Sequence, residues 1–209
     1  MEKTKKRSGG IGVLISGRGS NMLAIAAACR DGRIRSQISI VVSNEPDAGG
    51  LKAATDLGLA VQVVDHRASH GRAEHDRKVK TVLEAHGVEL VCLAGYMRLL
   101  SPAFVRDYSG RVMNVHPALL PAFSGLHAQR QALEHGARVS GATVHFVDEG
   151  LDSGPIILQA AVLVLEDDTE QTLSERILKE EHRLYPEAIS LYFDNRLRIE
   201  GRRVRITGR

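Results

Sequence analysis

At 209 residues, 43% hydrophobic and 25% charged, the chain has the length and balance of one soluble domain with a substantial core. No apolar run approaches the roughly 20 residues of a membrane span, and the charged opening MEKTKKRSGG has no apolar stretch of the kind a secretory signal needs. No membrane partner is expected, and the cytoplasm is the default location. The net charge of +3 resides in the tails: residues 1–10 carry +3 and residues 196–209 carry +5, which leaves the body at −5. A basic balance of that kind is weak support for nucleic acid binding, and none is expected.

Ile11–Ile15 (IGVLI) reads as a short apolar strand, SGRGSN as a turn, and Met22–Arg30 as an alanine-rich helix ending near Gly32. Strand, glycine turn and helix N-terminus form an arrangement that binds phosphate through backbone N–H groups and the helix dipole. Gly17 and Gly19 permit close approach of the backbone, while Ser20 and Asn21 can cap the helix and donate further bonds. The motif is weak in isolation. It lacks the Lys-Ser/Thr of a P-loop, Met22 stands where a dinucleotide fingerprint has its third glycine, and a well-capped turn without ligand fits equally.

Gln37–Ser43 is a second strand, Leu51–Leu57 a helix closed by Gly58, and Ala60–Val64 a third strand. Such βα units in series predict a parallel sheet with right-handed crossovers. Residues 65–77 carry His66, His70 and His75, but Gly71 interrupts the run. One helical face cannot present all three, and no metal site is expected. Lys78–His86 is amphipathic and stops at Gly87; Leu90–Ala94 is a strongly apolar central strand followed by GYMRLLSPAF. A methionine and two leucines at a strand end are ordinarily core.

Arg111–Val115 forms the next strand, and Pro117 stops it directly after His116. Alternation puts Asn114 and His116 on one face at the strand's end, where open α/β sheets hold ligands. Leu126–His135 is a helix. Ala142–Val147, which carries His145, leads into the loop DEGLDSG with Asp152, and Ile156–Leu165 extends the sheet. Thr169–Asn195 is helical, capped around Asp167–Thr169 and broken at Pro186, and RLRIEGRRVRI alternates as a hairpin with solvent-facing arginines. Cys29 and Cys92 read as buried small hydrophobes. The expected organisation is a basic disordered leader over 1–10, one domain over 11–195, and a basic C-terminal hairpin or tail over 196–209. The fold class is α/β: a single domain with a Rossmann-like, mostly parallel central sheet flanked by helices.

An amide, imidazoles and a carboxylate converging on one cleft suit acyl transfer to an amine. Asn114 and a protonated His116 can donate to the oxyanion of a tetrahedral intermediate, and Asp152 can hold the imidazole charged and take part in proton transfer. An Asn-x-His before a proline is, alone, more often a capped strand end.

The longer string N-x-H-P-x-L-L-P-x-F-x-G from Asn114 to Gly125, followed by L-D-x-G-P from Leu151, resembles the folate-dependent formyltransferases. Within these it is similar to the phosphoribosylglycinamide formyltransferases of purine synthesis, over Ile11 to about Tyr192. The resemblance implies direct transfer of the formyl group of 10-formyltetrahydrofolate to the amine of glycinamide ribonucleotide, without a metal. It assigns catalysis to Asn114, His116 and Asp152, with His145 supporting. It puts the nucleotide phosphate on the loop Gly17-x-Gly19-Ser20-Asn21, with Glu181 at the ribose hydroxyls or amine. It puts the folate against Arg72, Met97, Arg98, Leu99 and Leu100, against Asn114, and within the loop of Asp148, Glu149, Gly150, Leu151 and Asp152. Small-molecule substrates and a monomer or homodimer are the implied partners. Two departures, Ala122-Phe123-Ser124-Gly125 and Leu178, leave the chemistry intact but bear on phosphate binding. A tRNA-directed or hydrolytic formyl enzyme shares the N-x-H-P-x-L-L-P string, although the phosphate loop and the lack of a further RNA-binding domain argue for the nucleotide. A nucleotide-binding module without catalysis would leave Asn114, His116 and Asp152 unexplained.

Overall fold

A computed structural model describes residues 9–208. Five strands run parallel: β1 (Gly10–Ile15), β2 (Ile38–Ser43), β3 (Val61–Val63), β4 (Val88–Leu93) and β5 (Val112–His116). Then β6 (Val139–Phe146) pairs antiparallel with β5, and β7 (Ile156–Leu163) antiparallel with β6. The C-terminal hairpin β8 (Leu197–Glu200) and β9 (Arg203–Ile206) joins the same sheet, β9 touching β7 through Ile156 and Arg203. The order is β3-β2-β1-β4-β5-β6-β7-β9-β8. The sheet is thus parallel through β5, turns antiparallel at β6 and β7, and takes on the C-terminal hairpin through a short parallel contact of β9 with β7, a reversal that the strand patterns alone did not reveal.

Alternation sorts the side chains onto two helical layers. Ile11, Val13, Ile15, Leu90, Cys92, Met113 and Val115 pack with Met22, Ile25 and Ala28 of α1 (Ser20–Arg30) and with Leu173, Ile177, Leu184 and Tyr185 of α6 (Glu170–Phe193). Leu14, Val91, Leu93 and Val112 face the other way, onto Val79 and Leu83 of α3 (Arg72–Ala85) and Phe104 of α4 (Pro102–Asp107). The remaining helices are α2 (Gly49–Asp56) and α5 (Ala128–Glu134). Strand order reverses between β1 and β4, the place where such sheets open a ligand crevice.

Several boundaries differ from expectation. The leader falls outside the described residues except for Gly9 and Gly10, and Gly10 already belongs to β1. The segment after Gly71 is helical six residues earlier than its apolar pattern begins, because the positions it buries there, His75 and Asp76, are polar and give no apolar period. The short helix α4 has too few turns to show an apolar period, and its caps define it instead. Ser101, its N-cap, accepts from Phe104 N, with Pro102 at the first helical position. Pro186 does not break α6. It removes one donor, but Leu184, Tyr185, Ala188 and Ile189 around it are all buried, and that packing carries the helix through.

Candidate active site

The turn after β1 reaches α1 through Gly19, whose φ of +74° lies in the left-handed region. A Cβ there would stand 2.9 Å from Gly50 Cα, so only glycine lets the two segments meet. Ser20 and Asn21 do not cap the helix as expected: they lie in its first turn, and no side chain caps it. The first-turn N–H groups are therefore left for a ligand, in the field of the helix N-terminus. Asn21 turns inward and donates from Nδ2 to Glu181 Oε2 at 2.7 Å. Burial pushes the Glu181 carboxyl above its ordinary value, and the Asn21 bond partly offsets this. Glu181 is 7% exposed, so it is no solvated helix face.

This loop opens on a cleft of about 780 Å³. Its floor includes Gly95, Met97, Val115 and Pro117 at the ends of β4 and β5; its far wall is α6, through Gln171, Ser174, Glu175 and Leu178, with Glu181 at the end of that row. Of this wall the resemblance had singled out Leu178 and Glu181, whereas Gln171, Ser174 and Glu175 had drawn no notice as ordinary polar helix residues. Their spacing was the available signal: positions 171, 174, 175, 178 and 181 form one helical stripe. Gln129 of α5, also on the cleft, had no such signal.

Beside the cleft, Asn114, His116, His145 and Asp152 come together. Pairing of β5 with β6 sets Asn114 opposite His145, and alternation puts both, with His116, on the sheet face away from Val115. Burial pushes the His145 imidazole below its ordinary value, so it is neutral. Its Nδ1 lies 2.8 Å from the Phe146 carbonyl and must carry the proton, which leaves Nε2 as an acceptor. That acceptor takes Asn114 Nδ2 at 3.3 Å and so orients the amide. The second Asn114 proton points at Asp152 Oδ1, 3.5 Å away. The 3.8 Å approach of His145 Nε2 to Asp152 is for the same reason no ion pair. Asp152 Oδ2 accepts from Gly125 N at 2.8 Å and faces His116 Nδ1 at 3.4 Å. His116 Nε2 donates to the Phe123 carbonyl at 2.8 Å. Only the Nδ1 side of His116 therefore remains for chemistry.

The other candidate residues surround this cluster. Met97, Leu99 and Leu151 are 65, 58 and 54% exposed, so they are not core. Arg98 is half-buried, and Leu100 rests on the α3/α4 core. Beneath this segment His75 Nε2 lies 2.7 Å from Tyr96 Oη, and Asp76 Oδ2 accepts from Ser101 N at 2.5 Å. Asp148 accepts from Gly150 N and Ser153 Oγ and braces its own loop, while Glu149 pairs with Arg106. Arg72 opens α3 and is exposed. Among the described residues, no group of three or more His, Cys, Asp or Glu is placed to hold a metal.

The family model for formyl transferase matches residues 10–189. The chain belongs to the formyl transferase family. Phosphoribosylglycinamide formyltransferase of Escherichia coli (strain K12) is 45% identical over 187 residues, 90% of this chain and 88% of that one. The trifunctional purine biosynthetic protein adenosine-3 of Drosophila melanogaster is 47% identical over 91% of this chain, which spans 14% of that longer protein. The solved structure of glycinamide ribonucleotide transformylase 1 from Symbiobacterium toebii superposes with a TM-score of 0.95 at 54% identity, covering 96% of this chain and 95% of that one.

The cluster brings together an oriented amide donor, an imidazole, and a carboxylate in contact with both. It holds no covalent nucleophile. Cys29 and Cys92 are buried, and burial pushes the Cys29 thiol up to about 11 and the Cys92 thiol higher still.

Proposed function

We propose that this chain transfers the formyl group of 10-formyltetrahydrofolate to the amine of 5'-phosphoribosylglycinamide, giving the formylamide and tetrahydrofolate. The observation that carries the reading is the juxtaposition, over neighbouring strand ends, of an uncapped helix N-terminus on the cleft and the Asn114–His116–Asp152 cluster beside that cleft. The nucleotide phosphate sits on the N–H groups of residues 19–21, and Glu181 and the α6 stripe meet its sugar. The folate lies against the exposed apolar surface of Met97, Leu99 and Leu151, with Arg72, Arg98, Leu100 and the 148–152 loop around it.

The neutral amine attacks the formyl carbon, and the carbonyl electron pair moves onto oxygen. Asn114 Nδ2, giving up its long 3.5 Å contact with Asp152, and the Nδ1–H of a protonated His116 donate to that oxyanion. Asp152 takes the proton released by the nitrogen and returns it through water to the departing folate nitrogen as the C–N bond breaks. His145 acts through Asn114. On this reading the chain works in the cytoplasm on small molecules, as a monomer or homodimer.

The test mixes purified protein with both substrates and follows formylated nucleotide by mass spectrometry. Product that requires both substrates is expected. Formate release without the acceptor would make the chain a hydrolase, and no change in either substrate would leave only binding.

A further inference from the structure

The two expected subsites lie on either side of the point where strand order reverses. The phosphate loop leaves the end of β1, and the segment carrying Met97 leaves the end of β4. The backbone ladder between these strands closes with Ala94 N to Leu14 O at 2.9 Å and Ser16 N to Gly95 O at 3.1 Å. Beyond it the chains diverge, and one more rung is supplied by a side chain: Met97 N donates to Ser16 Oγ at 2.8 Å, across 81 residues of sequence. The same hydroxyl donates to Asn44 Oδ1 at 2.5 Å. Its proton is therefore committed to Asn44, and its lone pair is aimed at Met97. Asn44 ends the β2 side of the crevice, is 2% exposed, and is itself held, its Nδ2 lying 3.2 Å from Glu45 Oε1 and 3.3 Å from His66 Nδ1.

We propose that Ser16, oriented by Asn44, is a positioning residue that fixes the distance between the nucleotide loop and the folate-bearing segment, and so sets the approach of amine to formyl carbon. The inference rests on the functional reading above. Without the hydroxyl each subsite keeps its own groups, the N–H groups of residues 19–21 on one side and the side chains of Met97, Leu99 and Leu151 on the other; what loosens is their mutual placement. Reaction rate is steeply sensitive to such placement, with a misfit of about 1 Å costing on the order of 10²-fold. The signature is a fall in kcat without loss of either binding step.

Ser16→Ala is expected to lower kcat about ten- to hundredfold while the Kd of each substrate alone, measured by calorimetry, stays within about twofold. Asn44→Ala keeps Ser16 but releases its proton, and should give the same split. The double variant should be no slower than Ser16→Ala, since both act through one hydroxyl. Ser16→Thr, which restores a hydroxyl, should recover part of the rate. A weakened Kd for one substrate with kcat unchanged would overturn the proposal and make Ser16 a plain binding contact. Additive effects in the double variant, or wild-type rates in both single variants, would overturn it as well. If Ser16→Ala fails to fold, Asn44→Ala carries the test. Absence of formyl transfer in the wild-type protein would instead refute the functional reading itself, so the two failures are separable.

Discussion

Replacing Asp152 with Asn changes almost no volume and places the largest demand on the proposed chemistry. The two carboxylate oxygens serve different neighbours. Oδ2 accepts from Gly125 N and faces His116 Nδ1, while Oδ1 meets Asn114 Nδ2. An amide has one oxygen to divide between them. With that oxygen kept on Gly125, its NH2 points at the NH2 of Asn114, which His145 has already oriented. With the amide flipped, its NH2 opposes the Gly125 N–H. Either way two donors face each other and the negative charge beside His116 is gone. Loss of a positioned proton-transfer group costs about 10²–10⁴-fold and loss of an oxyanion donor about 10²–10³-fold. A fall in kcat of about 10³-fold is therefore expected, which is about 4 kcal/mol of barrier. The assay is the initial rate of formyl transfer at saturating concentrations of both substrates, with thermal unfolding as a control on the fold. A variant within about tenfold of wild type would refute the assignment of Asp152.

Two further predictions concern groups beneath the site. The Glu181 carboxyl is raised above its ordinary value in the folded state by burial, so the native protein keeps a proton that the unfolded chain has released. Its contribution to stability is whole below the unfolded value near 4.5 and is lost as pH rises through the folded one. Glu181→Gln should remove that loss and flatten the decline of Tm above pH 4.5, and identical pH profiles for the two proteins would count against a buried carboxyl. Tyr185 is fully buried, and its hydroxyl reaches the Leu93 carbonyl at 3.0 Å and the Met113 carbonyl at 2.8 Å, joining β4 to β5. Tyr185→Phe should cost about 1–3 kcal/mol, at about 2–4 °C in Tm per kcal/mol for a chain of this size; an unchanged Tm would show the hydroxyl to be idle.

The strands and most helices were legible because their apolar residues repeat with the periods of a sheet between two helical layers. The pairing of Asn114 with His116 followed from alternation alone. Partner identity was not legible: that β6 runs antiparallel and sets His145 against Asn114 depends on register, which no local pattern encodes. Pro186 misled because packing overrode local preference, and the start of α3 because the residues it buries, His75 and Asp76, are polar. Helical spacing alone makes Glu181 one more charge on a polar helix; the resemblance singled it out, and only the fold puts Asn21 beside it. The Ser16–Met97 bond joins residues 81 positions apart and leaves no trace in either segment.

The sheet itself divides the labour of the site. Val115 faces α1 and α6, while Asn114 and His116 on either side of it face α3 and α4. Groups that would meet the acceptor therefore hang from one layer and groups that act on the formyl donor from the other, and they meet only over the strand ends. A lineage could then exchange the acceptor by rewriting α6 and the turn after β1, with the transfer machinery between residues 112 and 154 left as it stands.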